Sequence, residues 1–106
     1  MSTGRLRVPP RAQRGEIIEI RLLLQHPMEN GFRRDSLGKA VAQNVIHTLV
    51  ARYDGREILR AELGTGIAAN PYLAFFTRAT ASGEVAVSWV DDAGEKGEVR
   101  APVEVW

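Results

Sequence analysis

Apolar side chains recur at every second position through most of this chain, and that period constrains the fold more than any other feature. In residues 16–25, Ile18, Ile20, Leu22 and Leu24 alternate with mostly polar neighbours. Successive side chains of a strand point to opposite faces of a sheet, so a period of two indicates strands with one buried face. The same period recurs in further segments, which are residues 45–54, 56–63, 72–80, 85–89, 99–105 and, most weakly, 6–8. We therefore predict an all-β chain of six or seven strands.

Turn-forming residues separate these segments at intervals typical of a β-sandwich. Asp54 followed by Gly55 is a hairpin signal, because a type I′ turn needs a positive φ at both central residues. Asp91 and Asp92 come shortly before a glycine and suit a turn. Pro102 has no backbone donor, so the last strand is expected at a sheet edge or a bulge. Turn signals every 8–12 residues or so favour an immunoglobulin-like antiparallel β-sandwich.

The first fourteen residues differ from the rest of the chain, because they carry four arginines and no acidic residue. We predict a loosely ordered basic arm over residues 1–14 and one sandwich domain over residues 15–106. The arm lacks the apolar segment of a secretory signal, and no stretch approaches the roughly 20 apolar residues of a membrane span. We therefore expect no export signal and no membrane contact. The net charge of +1 gives no electrostatic reason to expect nucleic acid as a partner.

A dense polar segment, residues 26–39, interrupts the strand pattern. Long ordered loops within compact domains often carry function, because a rigid scaffold presents them at the surface. This segment could perform chemistry, bind a partner or only cap the sandwich. Its candidate functional residues are His26, Met28, Glu29, Arg33, Arg34, Asp35 and Lys39.

The chemistry available to the chain is limited. It contains no cysteine, which excludes thiolate nucleophiles and Cys-ligated metals. His26 and His47 are the only histidines, and they lie on different elements without the spacing of a metal motif. No serine stands in a nucleophile elbow. We therefore predict no metal site, no cofactor and no catalytic residue set, with His26 as a loop anchor and His47 as a residue of the sheet.

His26, Pro27 and Met28 resemble the His-Pro-Met tripeptide of superoxide reductases, which are also small immunoglobulin-like sandwiches. That resemblance implies an iron site of four histidines and one cysteine. Two histidines and no cysteine cannot supply this ligand set.

Residues 68–76 are apolar on both faces of their predicted strand. Leu73 and Phe75 alternate with Tyr72, Ala74 and Phe76. A half-exposed strand carries apolar residues on one face only, so two-sided apolarity indicates cover by an internal loop or by a partner chain. We favour a partner chain.

Taken together, residues 15–105 resemble the Z subunit of the sulfur-oxidising Sox system. The resemblance is carried by four blocks: His26-Pro27-Met28-Glu29 with Gly31, Arg34, Asp35 and Gly38; Tyr53 with Gly55, Ala61 and Leu63; Ala68-Ala69-Asn70-Pro71-Tyr72-Leu73-Ala74-Phe75; and Trp89 with Asp91, Asp92 and Gly94. It implies a non-catalytic sandwich that pairs with SoxY, whose cysteine carries sulfur intermediates during thiosulfate oxidation. It also implies a periplasmic heterodimer that is exported by the signal of SoxY.

The resemblance suggests roles for two groups of residues. The predicted partner-binding residues are Asn70, Pro71, Tyr72, Leu73, Phe75 and Phe76. Residues 26–39 are predicted to recognise SoxY or a visiting Sox enzyme, the alternative being a solvated loop. Outside sulfur metabolism, the competing interpretation is an immunoglobulin-like module that binds another protein or associates with itself.

Overall fold

The computed structural model describes residues 3–106, which form two packed sheets with no helix among them. Three strands form one sheet in the order β1-β3-β6, and five form the other in the order β2-β8-β7-β4-β5. This confirms the predicted β-sandwich. The strands are β1 (Thr3–Arg7), β2 (Arg11–Ala12), β3 (Ile17–Gln25), β4 (Ile46–Tyr53), β5 (Arg56–Glu62), β6 (Tyr72–Arg78), β7 (Gly83–Asp91) and β8 (Lys96–Val105). Within residues 3–106, no helix is long and apolar enough to cross a membrane.

The N-terminal segment corrects the prediction of a loose arm. β1 pairs with β3 along its whole length, from Thr3 opposite Gln25 to Arg7 opposite Arg21. β2 then joins the other sheet, and Ala12 is only 1% exposed. Alternation gave little warning, because backbone pairing holds these short strands and few apolar side chains mark them. Met1 and Ser2, also part of that predicted arm, lie outside the described residues.

β2 also makes the sandwich not wholly antiparallel. It pairs in parallel with β8, Arg11 opposite Glu104 and Ala12 opposite Val105. The prediction of six or seven strands is one or two short of the eight observed, and this two-residue strand is the one that no predicted segment covered. β2 covers only the end of β8, so the rest of β8 forms a sheet edge. Alternate residues of β8 direct their amides to the same side, and the Glu104 amide donates to the Pro10 carbonyl on the side away from β7. Pro102 lies two residues before Glu104, so its nitrogen, which carries no hydrogen, faces the open side of β8, as predicted.

The core lies between the inner faces of the two sheets. On β3, the four predicted inward residues Ile18, Ile20, Leu22 and Leu24 are all buried. The opposite sheet supplies inward residues from β4, β7 and β8, which include Leu49, Ala51, Tyr53, Val85, Val87, Trp89 and Val103. The period of two in the sequence therefore corresponds directly to the buried faces.

The Trp89 indole spans the two sheets and depends on two glycines. Gly97 lies opposite Trp89 in the β7–β8 ladder, and a Cβ at Gly97 would come within 2.3 Å of the indole ring. A Cβ at Gly4 on β1 would come within 2.8 Å of the same ring. Real Cβ atoms do not approach that closely, so both glycines are required by the position of this side chain.

One turn has the backbone conformation that the sequence predicts, and another is held in place by a tyrosine hydroxyl. Asp54 and Gly55 both have a positive φ, 51° and 79°, as the predicted type I′ hairpin requires. The hydroxyl of the preceding Tyr53 donates to the carbonyl of Ala81 and accepts from the amides of Thr80 and Ala81. Tyr53 thereby fixes the connection between β6 and β7 to the end of β4, in the manner of a tyrosine corner.

Candidate functional site

The segment between β3 and β4, residues 26–45, folds as an ordered excursion with its own backbone pairing. Glu29 and Asn44 form an antiparallel bridge at its base, and Arg34 and Ala40 form another near its tip. The base is fixed to the domain by His26 and Met28, whereas the tip is exposed. The structure therefore divides the predicted recognition loop into an internal part and a surface part.

His26 belongs to the internal part. Its Nδ1 accepts a hydrogen bond from the Met28 amide at 2.9 Å, and its Nε2 lies 3.0 Å from Asp91 Oδ2. Since Nδ1 accepts, the neutral ring carries its proton on Nε2 and donates it to the carboxylate. His26 is buried, so the recognition role predicted for it is wrong, whereas its interpretation as a loop anchor is confirmed.

Met28 is buried as well, and its predicted place on a recognition surface is also wrong. Its φ of 49° turns the chain sharply after Pro27, and its Sδ accepts a hydrogen bond from the Ile46 amide at 3.3 Å. The thioether therefore helps to hold the two ends of the excursion together. His47, as predicted, is a residue of β4, and its Nδ1 lies 2.8 Å from Thr48 Oγ1.

Asp91 is more than the turn former that the sequence suggested. Its Oδ1 accepts the Glu95 amide at 2.8 Å, while its Oδ2 faces His26. Burial raises the pKa of Asp91, but the hydrogen bonds from His26, then from the Glu95 and Ala93 amides, outweigh burial and leave the pKa below its ordinary value. The carboxylate is thus held ionised inside the sandwich. Spacing along the chain could not reveal this pair, because its members are 65 residues apart.

Asp92 closes the base of the excursion from the other side. Its Oδ2 accepts hydrogen bonds from the Val45 amide and from Gln43 Nε2, both at 3.1 Å. Its own amide donates to the Val45 carbonyl at 3.0 Å. The two adjacent aspartates therefore hold opposite ends of the same excursion.

Glu29 and Arg33 form an ion pair partway along the excursion. Arg33 Nη2 lies 2.7 Å from Glu29 Oε1, and Arg33 Nε also donates to both carboxylate oxygens. The hydrogen bond from Arg33 lowers the pKa of Glu29, and Glu29 raises the pKa of Arg33 in return. Glu29 and Arg33, both predicted as recognition residues, are thus paired with each other within the chain.

The tip is a tight turn built by Asp35. Its carboxylate accepts the amides of Leu37 and Lys39 at 2.9 and 3.0 Å, and Arg34 Nη1 donates to the Gly38 carbonyl at 2.9 Å. Asp35 is therefore a turn former, whereas the Lys39 side chain is exposed. Two apolar residues that were not among the predicted site residues, Phe32 and Leu37, are 86% and 82% exposed here. Isolated apolar residues within a polar segment were the available signal.

The predicted partner-binding residues on β6 divide by face. Leu73 and Phe75 point inward and pack on the core, so the two-sided apolarity is partly internal. Their inward packing corrects the prediction that they anchor a partner. Tyr72 and Phe76 point outward and are exposed.

The two residues before β6 have mainly structural contacts. Asn70 Oδ1 accepts the His26 amide at 3.1 Å, and the Asn70 amide donates to the His26 carbonyl at 2.9 Å. Pro71 is buried, and its carbonyl accepts the Leu24 amide at 2.9 Å. These contacts close the edge of the sheet beside β3, and the burial of Pro71 corrects its predicted partner contact.

Tyr72 and Phe76 belong to a larger outward surface. In the three-stranded sheet, Leu23 lies opposite Tyr72, and the neighbouring rows place Phe76 and Ile17 on the same side. These four apolar side chains are 42 to 65% exposed. We call them the apolar patch. Within residues 3–106, no group of three or more His, Cys, Asp or Glu is arranged to hold a metal ion.

Comparison with known proteins gives the following similarities. The sequence model of the family described as "Sulphur oxidation protein SoxZ" matches residues 6–102. The search of curated proteins found no match. A superoxide reductase (neelaredoxin) variant from Ignicoccus hospitalis is a similar solved structure, with a TM-score of 0.74 and 15% identity over 98% of this chain and 80% of that chain.

A second similar structure is the sulfur carrier protein SoxY from Chlorobium limicola f thiosulfatophilum. Its TM-score is 0.66, with 9% identity over 97% of this chain and 78% of that chain. A putative superoxide reductase from Thermotoga maritima gives 0.65, with 13% identity over 97% and 85%. At identities this low, these likenesses show a shared fold and nothing more.

Proposed function

The chain belongs to the SoxZ family of sulfur oxidation proteins, and from this premise we propose that it is the non-catalytic subunit of a two-chain sulfur carrier, paired with SoxY. The observation that carries the proposal is the family match across residues 6–102, nearly the whole sandwich. In this pairing SoxY supplies the cysteine to which sulfur intermediates are attached. The present chain supplies a folded surface beside it.

Cysteine usage supports this division of labour. Covalent attachment of sulfur to a protein thiol needs a cysteine, since the thiolate is the reacting form. These 106 residues contain none. A carrier assembled from this chain must therefore take its thiol from a second chain.

The apolar patch supports a protein partner. Exposed aromatic and aliphatic side chains gathered on one sheet face mark interaction surfaces more often than scattered ones do. Tyr72 and Phe76 are the aromatic members, and large aromatics often dominate interface energies. We assign the pairing surface to this patch, with Asn70 at its margin.

The exposed tip of the excursion suits transient contacts with other Sox enzymes. It offers Phe32 and Leu37 together with Arg33, Arg34 and Lys39, all of them exposed. This keeps the recognition role for the exposed members of the predicted loop. Residues buried at its base take no direct part.

Sizing experiments test the pairing. The chain alone and the chain mixed with a SoxY protein are compared by size-exclusion chromatography with light scattering. A 1:1 complex is expected, and Tyr72→Ser with Phe76→Ser should weaken it, whereas Phe32→Ser with Leu37→Ser should not. A stable homodimer of this chain that does not bind SoxY would instead favour the self-associating module.

We also propose a periplasmic location reached by export together with signal-bearing SoxY. The support is the family match across residues 6–102, because the resemblance to this family implies export together with SoxY. Fractionation of cells that express the chain with and without SoxY tests this. The chain should enter the periplasm only when SoxY carries its signal, and export in the absence of SoxY would refute co-export.

A further inference from the structure

Arginines border the apolar patch on the same face of the three-stranded sheet. The ladder places Arg5 opposite Leu23, which in turn lies opposite Tyr72. The adjacent row places Arg7 opposite Arg21. We call this outward surface of β1, β3 and β6 the arginine–aromatic face.

The charge on this face is one-sided. Its four arginines are Arg5, Arg7, Arg21 and Arg78, and its one acid is Glu19, so it carries three excess positive charges. The whole chain has a formal net charge of only +1. The face is therefore more basic than the chain as a whole.

The side chains of two of these arginines have no partner among the described residues. Arg21 Nε donates to Glu19 at 2.6 Å, but the side chains of Arg5 and Arg7 have no hydrogen bond or ion pair with any residue in the range 3–106. Like charges directly opposite each other weaken a sheet, and Arg7 and Arg21 stand in that relationship. A counter-charge from outside the chain would relieve this repulsion.

A groove of about 530 Å³ lies on this face, and its lining includes Arg5, Arg7, Arg21, Leu23 and Tyr72. A guanidinium binds a carboxylate through two parallel hydrogen bonds, which makes arginine suited to acidic partners. The groove thus combines apolar contact with carboxylate recognition.

We infer that the SoxY partner docks on the arginine–aromatic face with an acidic surface, its carboxylates meeting Arg5, Arg7 and Arg21 around an apolar centre that covers Tyr72 and Phe76. This inference rests on the proposed pairing and adds the charge and position of the surface that the partner must present. Tyrosine and arginine are the residue types expected to anchor such an interface.

The same charges disfavour a second copy of this chain as the occupant. A two-fold dimer would place this face against itself, because a symmetric interface uses the same patch on both subunits. Three excess positive charges would then meet three more, and juxtaposed like charges oppose association. The face therefore selects an acidic partner over self-association.

Charge reversal on two sheets tests the inference. Arg5→Glu with Arg7→Glu is compared with Arg52→Glu and Arg56→Glu, a control with the same charge change on exposed residues of β4 and β5. Affinity for a SoxY protein is measured by calorimetry, and circular dichroism confirms folding. We expect about tenfold or greater weakening for the first pair and less than about twofold for the control. Arg5→Gln with Arg7→Gln, which removes charge without reversing it, should weaken binding to an intermediate extent.

Salt dependence is the second readout. Binding of the unmodified chain should weaken between about 50 and about 300 mM salt, and the Arg5→Gln, Arg7→Gln variant should show a shallower dependence. If the unmodified chain binds SoxY but reversal at Arg5 and Arg7 has no more effect than the control, the docking inference fails while the pairing stands. If the unmodified chain does not bind SoxY at all, the proposed function itself fails.

Discussion

Nε2 of His26 and Oδ2 of Asp91 lie 3.0 Å apart inside the sandwich, although 65 residues separate them in the chain. This bond joins the start of the 26–45 excursion to the end of β7. Since the other ring nitrogen accepts the Met28 amide, one side chain fixes both the excursion and the neighbouring turn. The pair stabilises the scaffold from which the exposed tip projects.

Removing His26 should be costly to the fold. His26→Ala leaves a buried carboxylate without its side-chain donor, and we expect a loss of about 3 kcal/mol in the free energy of unfolding. Urea denaturation measures this loss. His47→Ala, which removes the more exposed histidine of β4, should cost less than about 1 kcal/mol. Equal losses for the two variants would contradict the structural role of His26.

The His26–Asp91 pair predicts a pH dependence with a definite sign. The pKa of Asp91 is lower in the folded state than its unfolded value of 3.8. Its ionised form therefore contributes stability that is complete well above pH 3.8 and is lost as the pH falls through the lower folded value. Denaturation of the unmodified chain and of Asp91→Asn across this range should show a stability difference that shrinks toward acid. A difference that grows toward acid would reverse the assigned sign.

The contact between Trp89 and Gly97 should tolerate no side chain. Gly97→Ala places a methyl group within 2.3 Å of the indole, so we expect a loss of about 1–3 kcal/mol and altered Trp89 fluorescence. Gly64→Ala is the matched control, because nothing lies within 4 Å of the added Cβ there. Its effect should stay within about 0.5 kcal/mol. Similar melting temperatures for the two variants would argue against the observed indole position.

The hydroxyl of Tyr53 should matter independently of its ring. Tyr53→Phe keeps the packing but leaves the Thr80 and Ala81 backbone groups without this partner, which should cost about 1–2 kcal/mol. Tyr72→Phe removes a hydroxyl from an exposed position and should leave thermal stability unchanged. The prediction is wrong if Tyr53→Phe has the same melting temperature as the unmodified chain.

Asn70 should show a graded response that separates its two roles. Its side chain accepts the His26 amide, and its φ of 55° lies in the left-handed region. Asn70→Asp keeps an acceptor, Asn70→Gly loses the acceptor but relieves strain, and Asn70→Ala loses both advantages. We expect stability to fall in that order, with Ala about 1–3 kcal/mol below the unmodified chain. An Ala variant more stable than the Gly variant would contradict the left-handed conformation.

Much of the fold could be predicted from the period of two in the apolar positions. The inward set of β3 was identified residue by residue, because every second position carries a large aliphatic side chain. β1 was harder, since Gly4 and three flanking polar residues leave only Leu6 to indicate an inward face. β2 is held by backbone pairing over two residues, too few to form any pattern.

The site was less accessible for a physical reason. Local composition showed that residues 26–39 were unusual, but burial of His26 depends on a carboxylate supplied by β7. On β6, alternation correctly separated Tyr72 and Phe76 from Leu73 and Phe75, yet both faces are apolar and the sequence alone did not say which was internal. The register with β3 decides that, because Leu73 and Phe75 lie opposite the buried Leu22 and Ile20.

The pairing of β2 with β8 has a consequence for how the molecule acquires its structure. Ala12 and Val105 are far apart in the sequence, so this ladder cannot close until residue 105 has left the ribosome. Contacts so distant in sequence slow folding, because a large loop must close before they form. During synthesis, β2 therefore remains unpaired until β8 has been made. A partner or chaperone has that interval in which to bind the chain before β2 and β8 pair.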